Sequence, residues 1–440
     1  MPILSNEEIS RLDPVMFTRG PGWSGDGATQ RDVEAIFHKL YAPAREAGAN
    51  AYDLDRIAAG IFNLRDMIVR AREGRTGGVC VEIGSGTGNK SFTICDLFDT
   101  YVGIEIDGEQ HALCVARAKS LGVENCAFVR GNAMDVVPDP AGPLAGSPID
   151  VLMLYAVLEH LTPQERVSML ALASTVLDGG GMVCVFEAPN RIIPSDAHTS
   201  ESFFYNQIPE HIAREWGRRH VKHESIKSLL ASANHDDYFR AGTGLSHHEF
   251  QLAFGGDLGA CDFVVDGFDV ALLNLFDFSF QEFIALGTLE HHVPDVPPTA
   301  FCRSWIDFIA KKRIGGPRRK TTFISPFAPK WLDLSVAPKA WDSIGAPIGK
   351  ERTFELPEGT ISELTIILSG EDGELSVALD DAPSDDLNLR SLWKARPRRW
   401  SSTLAVAWRP QRPISTLRLS TNDERVRLHG VIARHQSPDP

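Results

Sequence analysis

The 440-residue sequence has no C-x-x-C pair and no unbroken apolar run long enough to span a membrane, and from its first residues no secretory leader is expected. Each absence removes a class of protein. The seven cysteines are scattered, and several sit inside apolar strand-like runs, Cys80 and Cys184 among them. That pattern fits buried free thiols in a reducing compartment better than a disulfide framework or a zinc site. The first nine residues are polar and acidic, not a basic start leading into an apolar core. The longest apolar stretch, 270–286, is broken by Asn274, Asp277, Gln281 and Glu282, so no membrane span is expected and the location predicted is cytoplasmic. Positive charge is also scarce: 44 Lys and Arg against 58 Asp and Glu leave a net charge of −14. A surface of that sign repels phosphate backbones, so nucleic acid is not an expected partner. Two local basic clusters remain, Lys311-Lys312-Arg313 with Arg318-Arg319-Lys320, and Arg396 with Arg398 and Arg399. They read either as solvated loop charge or as seats for an anionic group.

What is present is ample apolar material, 43% of the chain, in a length that implies two or three domains. Residues 1–75 combine a Gly-rich loop at 20–25 with a helical pattern at 53–72, where Ile57, Ile61, Leu64 and Ile68 share a face; they read as an N-terminal helical extension. From Gly77 short apolar runs at 79–83, 101–106, 126–130, 150–155 and 182–187 alternate with helical stretches such as 109–121 and 162–177. This alternation predicts an α/β domain, a Rossmann-like parallel sheet with helices on both faces, over residues 76–338. Beyond Asn190 the alternation stops. Helices are predicted at 208–218, 226–233 and 301–311, forming a cap over the sheet's carboxyl edge at about 190–315, with a closing antiparallel strand near 331–336. From 339 to 440, period-two runs (Leu364, Ile366, Leu368; Leu375, Val377, Leu379; Leu404, Val406, Trp408) punctuated by turn residues predict an appended antiparallel β-sandwich.

The segment richest in chemistry is Val79-Cys80-Val81-Glu82-Ile83-Gly84-Ser85-Gly86-Thr87-Gly88-Asn89. A buried strand runs into a glycine turn that lets backbone approach a ligand, and a helix start then offers free N–H groups. A dinucleotide fingerprint needs glycine at its first, third and sixth positions, and here the sixth is Asn89. No P-loop Lys-Ser/Thr follows. The second strand closes in Glu105-Ile106-Asp107, and Glu105 follows Gly84 by 21 positions, where a carboxylate can accept ribose hydroxyls. The third closes in Gly131-Asn132-Ala133, and the fourth runs into Tyr155-Ala156-Val157-Leu158-Glu159-His160-Leu161.

In this order, over about 110 residues, E-x-G-x-G-x-G, the ribose acid, the G-N-A segment and V-L-E-H-L resemble the class I S-adenosylmethionine-dependent methyltransferase family. The resemblance implies a seven-stranded methyltransferase sheet and S-adenosyl-L-methionine as cofactor. It implies that Glu82, Gly84, Ser85, Gly86 and Gly88 cradle the methionine end, with Glu82 helping to hold its ammonium group. Glu105 with Ile106 would hold the ribose, and Asn132, standing where the family often has Asp, would meet the adenine edge with Ala133. Tyr155 would line the same pocket, with Glu159 and His160 shaping it.

An acceptor hydroxyl or amine must lose a proton, which calls for a nearby His, Asp or Glu. Two clusters compete. Asn190-Arg191…Asp196…His198 follows the fifth strand and resembles a P-N-R…P…D-x-H-T segment of some bacterial methyltransferases, with His198 the favoured base, Asp196 beside it, and Asn190 and Arg191 facing the acceptor. His247-His248-Glu249 lies in the cap, with His247 as the second candidate base and His248 as a substrate contact. The plain alternatives are an Asx-turn at Asp196 and a structural His198. No H-x-x-x-H spacing accompanies these residues, so no metal is expected. The acceptor expected is a small molecule, sugar, glycan or secondary metabolite carrying an O or N nucleophile. The β-sandwich is compatible with glycan binding or with a homo-oligomer. A non-catalytic scaffold and an NAD-dependent sugar-modifying enzyme are the alternatives.

Overall fold

The computed structural model describes residues 18–19, 35–139, 141–144, 146–196, 198–255, 260–266, 303–313, 318–324, 346–348, 350–369, 374–380, 385–388, 403–408, 410 and 412–437. They fall into two compact units. One comprises 36–270 with 299–314; the other gathers 1–35, 271–298 and 315–440.

The first unit is built on a seven-stranded sheet. Its strands are β1 (Val79–Ile83), β2 (Thr100–Glu105), β3 (Cys126–Arg130), β4 (Val151–Tyr155), β5 (Met182–Pro189), β6 (Cys261–Val265) and β7 (Trp305–Lys312). Their order across the sheet is β3-β2-β1-β4-β5-β7-β6. The first five are mutually parallel, while β7 runs antiparallel to both β5 and β6. All five residues of β4 are buried, as a central strand covered on both faces requires. Val81, Ile83, Val102, Ile104, Leu152, Leu154, Val183 and Val185 from the sheet pack with Met169, Leu170, Ala173 and Val176 of the helix Pro163–Asp178. That helix begins with a capping box, in which Thr162 and Glu165 satisfy each other's backbone donors, and with Pro163 at its first position. The helix after β2, Gly108–Leu121, is capped by Asp107 and ended by left-handed Gly122.

The sequence expected helix at 301–311, and the structure has β7 there instead. Ile306, Phe308, Ile309 and Ala310 are all buried. An apolar run buried on both sides carries no period that separates helix from strand. β7 is thus the antiparallel strand that closes the sheet; the stretch at 331–336, where that strand was expected, lies outside the described residues, as do the Gly-rich loop at 20–25 and Arg396, Arg398 and Arg399. The stretch expected as cap therefore holds two strands of the sheet, along with the helices Glu210–His220, Glu224–Ala231, Asp236–Arg240 and His247–Ala253.

The N-terminal stretch is divided between the units. Thr18–Arg19 pairs in parallel with Thr403–Trp408 in the second unit, whereas the helices from Ile36 onward belong to the first. The helix predicted at 53–72 forms as α-helices Ala51–Ala59 and Arg65–Ala71 joined by a π-helical turn, Gly60–Leu64.

The second unit is a sandwich of two antiparallel sheets, the parallel Thr18–Arg19 pairing aside. Thr360–Ser369 pairs on one side with Thr403–Trp408 and on the other with Arg427–Ser437. Glu374–Leu379 pairs with Thr416–Thr421 and Asp385–Asn388 in the other sheet. Leu364, Ile366, Leu368, Val431 and Ala433 of the first sheet meet Leu375, Val377, Leu417 and Leu419 of the second in one core. The consecutive runs Thr360–Ser369 and Glu374–Leu379 therefore lie in different sheets.

Candidate functional site

The carboxyl ends of β1, β2, β4 and β5 carry most of the residues singled out from the sequence. β1 runs into the glycine loop, where Gly84, Gly86 and Gly88 hold φ of 73°, 53° and 78°. A Cβ at Gly84 would stand 2.4 Å from Val157 Cγ2, and one at Gly88 would stand 2.5 Å from the Phe92 ring. Both left-handed backbone and space demand glycine there. Ser85 Oγ is buried without a hydrogen-bond partner. Glu105, at the end of β2, accepts from Gly86 N–H at 2.7 Å and from Asp107 N–H at 2.8 Å. The carboxylate thus lies against the glycine loop. Asp107 itself is committed as a helix cap, accepting from Glu109 and Gln110 N–H. Ile106, 70% exposed, leaves an apolar side chain beside them. Asn132, exposed, caps the turn Ala133–Val136 through its bond from Met134 N–H, and Ala133 is buried.

Glu82 is buried. Its Oε2 accepts from Tyr101 OH at 2.7 Å and from Ser91 Oγ. Burial outweighs those bonds and raises its pKa to about 7. Asn89, the residue that breaks the dinucleotide pattern, has its own work. Its amide donates to Asp53 at 2.7 Å and accepts from Arg117, which ties the loop to two helices.

Tyr155 lies in a cluster that the sequence did not announce. Its hydroxyl donates to Glu187, Lys90 Nζ stands 4.4 Å from its ring centroid, and the Arg56 guanidinium 5.1 Å. Arg56 also pairs with Glu187. Burial opposes ionisation of Glu187, but Lys90, Arg56 and the Tyr155 hydroxyl outweigh it and lower its pKa. Lys90 Nζ is buried without a hydrogen-bond partner, and burial brings its pKa down to about 7. Ala156 and Glu187, at the ends of β4 and β5, hold φ of 52° and 53°. Such strained non-glycine residues and shifted ionisable groups concentrate at functional sites. The sequence signal for Arg56 and Lys90 was absent because ordinary helix and loop charges look the same until the fold places them.

Glu159 and His160 form the short 3-10 turn after β4, and His198 comes from the loop after β5. Glu159 is fully buried, and burial raises its pKa to about 8. His160 Nε2 and His198 Nε2 stand 3.8 and 3.7 Å from Glu159 Oε1. His198 is held neutral, its pKa lowered to about 4 by burial and by neighbouring His160. Asp196 supports the loop that carries His198: its carboxylate accepts from the N–H groups of His198, Thr199 and Ser200 and from Ser200 Oγ. Asn190 is buried between Arg303 O and Ile192 N–H, and Arg191 reaches Asn206 O. His247 and exposed His248 lie in the first turn of His247–Ala253, outside the Glu159 cluster. Burial, then His248, lowers the pKa of His247 to about 4. The neighbouring Glu249 is occupied by the cap at Ser246 and by Arg166.

The described cysteines are all free, and no helix among the described residues is long and apolar enough to cross a membrane. The family model of a methyltransferase domain matches residues 80–181. An uncharacterized methyltransferase of Anoxybacillus flavithermus is 24% identical over 140 residues, which is 32% of this chain and 61% of that protein. Among solved structures, PKMT2 from Rickettsia typhi in complex with AdoHcy is similar at 12% identity and a TM-score of 0.35, covering 58% of this chain and 55% of that one. The YcgJ protein of Bacillus subtilis is similar at 15% identity and a TM-score of 0.31, covering 57% and 98%. The matched segment contains the glycine loop, Glu105 and the Glu159-His160 turn, and residues 80–181 are a methyltransferase domain.

Proposed function

We propose that this chain transfers the methyl group of S-adenosylmethionine to an oxygen or nitrogen nucleophile of a small-molecule acceptor, of sugar, glycan or secondary-metabolite type, in the cytoplasm. The observation that carries the reading is the glycine loop with Glu105 set against Gly86 N–H, at the carboxyl edge of the sheet. Glu105 keeps acceptor lone pairs for ribose hydroxyls, Ile106 offers apolar surface to the adenine, and Asn132 with Ala133 borders the same edge. Tyr155, with its two cations and Glu187, walls the loop on the β4 side. When bound, S-adenosylmethionine supplies an electrophilic methyl group on a sulfonium.

The chain's contribution to such a displacement is alignment and exclusion of water. On the acceptor side, His198 is held neutral and turns Nε2 toward Glu159, a form suited to draw a proton or to hold a cation. Asp196 and Thr199 position it. The bonds of Asn89 to Asp53 and Arg117 occupy the place where a dinucleotide loop needs glycine, which counts against NAD.

Isothermal titration of the full chain with S-adenosylmethionine, S-adenosylhomocysteine and NAD tests this. Micromolar binding of the two adenosyl ligands alone is expected. It should vanish in Gly86→Arg, whose side chain would start from left-handed backbone with its Cβ 3.1 Å from Gln110 Oε1. Glu105→Ala should weaken it by about tenfold or more, as loss of charge-assisted hydrogen bonds does. If neither adenosyl ligand binds the wild-type chain, the reading fails.

A further inference from the structure

Glu159 lacks what a buried carboxylate needs. It is 0% exposed, and neither oxygen receives a hydrogen bond from another residue. A buried polar group in that state is costly, and a buried charge more so, unless a proton or a bound cation compensates.

The groups facing it are both acceptors. His160 Nδ1 lies 3.0 Å from Arg240 O, and a carbonyl can only accept, so the proton of this neutral ring sits on Nδ1. His198 Nδ1 lies 3.1 Å from Thr199 Oγ1, whose own proton goes to Gly242 O at 2.6 Å. Thr199 therefore accepts from Nδ1–H. Both rings are left with a lone pair on Nε2, and both lone pairs meet the same oxygen, Glu159 Oε1. The separations of 3.8 and 3.7 Å are too long for hydrogen bonds. The three ligand atoms lie within 4.8 Å of one another. Space for this arrangement is reserved in the backbone: at Gly242, φ 102°, a Cβ would stand 2.4 Å from the His198 ring.

We propose that Glu159, His160 and His198 bind a divalent transition-metal ion, of the zinc, cobalt or manganese class, whose remaining coordination positions take a hydroxyl oxygen of the acceptor. The ion itself follows from this cluster; its use on an acceptor hydroxyl rests on the methyltransferase reading. Tetrahedral ligands about 2.1 Å from a metal stand about 3.4 Å apart, so only small side-chain shifts close the observed distances. Two imidazoles and one carboxylate suit these ions, whereas magnesium and calcium prefer oxygen throughout. The Nδ1–H bonds to Arg240 O and Thr199 Oγ1 are the outer-shell contacts that fix tautomer and ring orientation in metal sites. An ion there would bind the acceptor oxygen, hold it in place and ease loss of its proton, which favours O- over N-methylation.

The test uses tag-free, full-length protein stripped with chelator and titrated with Co²⁺, followed by its visible absorption and by calorimetry. Stoichiometric binding with a ligand-field band is expected, competed by Zn²⁺. Glu159→Gln and His198→Ala should weaken it by about 100-fold or more. His211→Ala, an exposed helix histidine, should leave it unchanged. Adenosyl-ligand titration of His198→Ala reports folding, because His198 is not among the residues assigned to the cofactor, and urea unfolding reports it for Glu159→Gln. Variants that bind the adenosyl ligands but retain full Co²⁺ affinity, or a wild-type chain that takes up no Co²⁺, overturn the metal site. Co²⁺ binding without adenosyl-ligand binding would leave the site standing and remove the methyltransferase reading instead.

Discussion

Glu82 sits directly under the glycine loop in sequence and is buried with Ser91 and Tyr101 as donors. Its pKa, about 7, lies above the value near 4.3 of an unfolded glutamate. The native chain therefore holds a proton that the unfolded chain releases across that interval, so stability from this group is full below about pH 4.3 and is lost as pH rises through about 7. Glu82→Gln keeps an oxygen to accept from both hydroxyls and cannot ionise. The wild type should lose stability relative to this variant between about pH 4.3 and 7, by on the order of 3 kcal/mol at most. Urea melts of both proteins across that range check it, and a difference that does not vary with pH would dismiss the assignment. Lys90 acts in the other direction and in a higher window. Its lowered pKa makes stability rise with pH from about 7 toward the ordinary lysine value.

Elements, as well as residues, are held by polar anchors in this unit. Arg166, buried in the helix after β4, donates to the carbonyls of Leu158, Glu159, Thr243 and Gly244 and pairs with Glu249. One side chain thus fastens the Glu159-His160 turn to the segment leading into His247–Ala253. Arg166→Met would preserve much of the volume and leave four carbonyls short of a donor. A loss of about 3 kcal/mol or more in urea unfolding is expected, together with weaker Co²⁺ binding because the turn bearing two of the ligands is released. A change within about 0.5 kcal/mol, the range of ordinary surface substitutions, would show that the anchor is dispensable.

For the molecule as a whole, two units with separate cores imply separable unfolding. Only the unit containing 36–270 holds the glycine loop and Glu105. S-adenosylhomocysteine at about 100 times its dissociation constant should stabilise that unit by about 2.7 kcal/mol and leave the sandwich where it was. Scanning calorimetry with and without the ligand checks this; an equal shift of every transition would mean that the units unfold as one.

Local pattern alone determined a good deal here. The five parallel strands, the loop from Gly84 to Gly88 and the acid at Glu105 were legible because strand alternation and tight-turn glycines act over a few residues. The alternating runs around Ile366, Val377 and Val406 announced a sandwich for the same reason. What only the tertiary structure decided involves distant partners. The run at 305–312 is a strand because β5 and β6 flank it, and its buried residues carry no period of their own. Arg56 and Lys90 became parts of a cluster when a helix and a loop met the ends of β4 and β5. Glu159 and His160 come from one turn and His198 from another loop, so no ligand spacing along the chain records their meeting. Their convergence depends on β4 and β5 being neighbours in the sheet, and that adjacency is settled by packing over the whole domain.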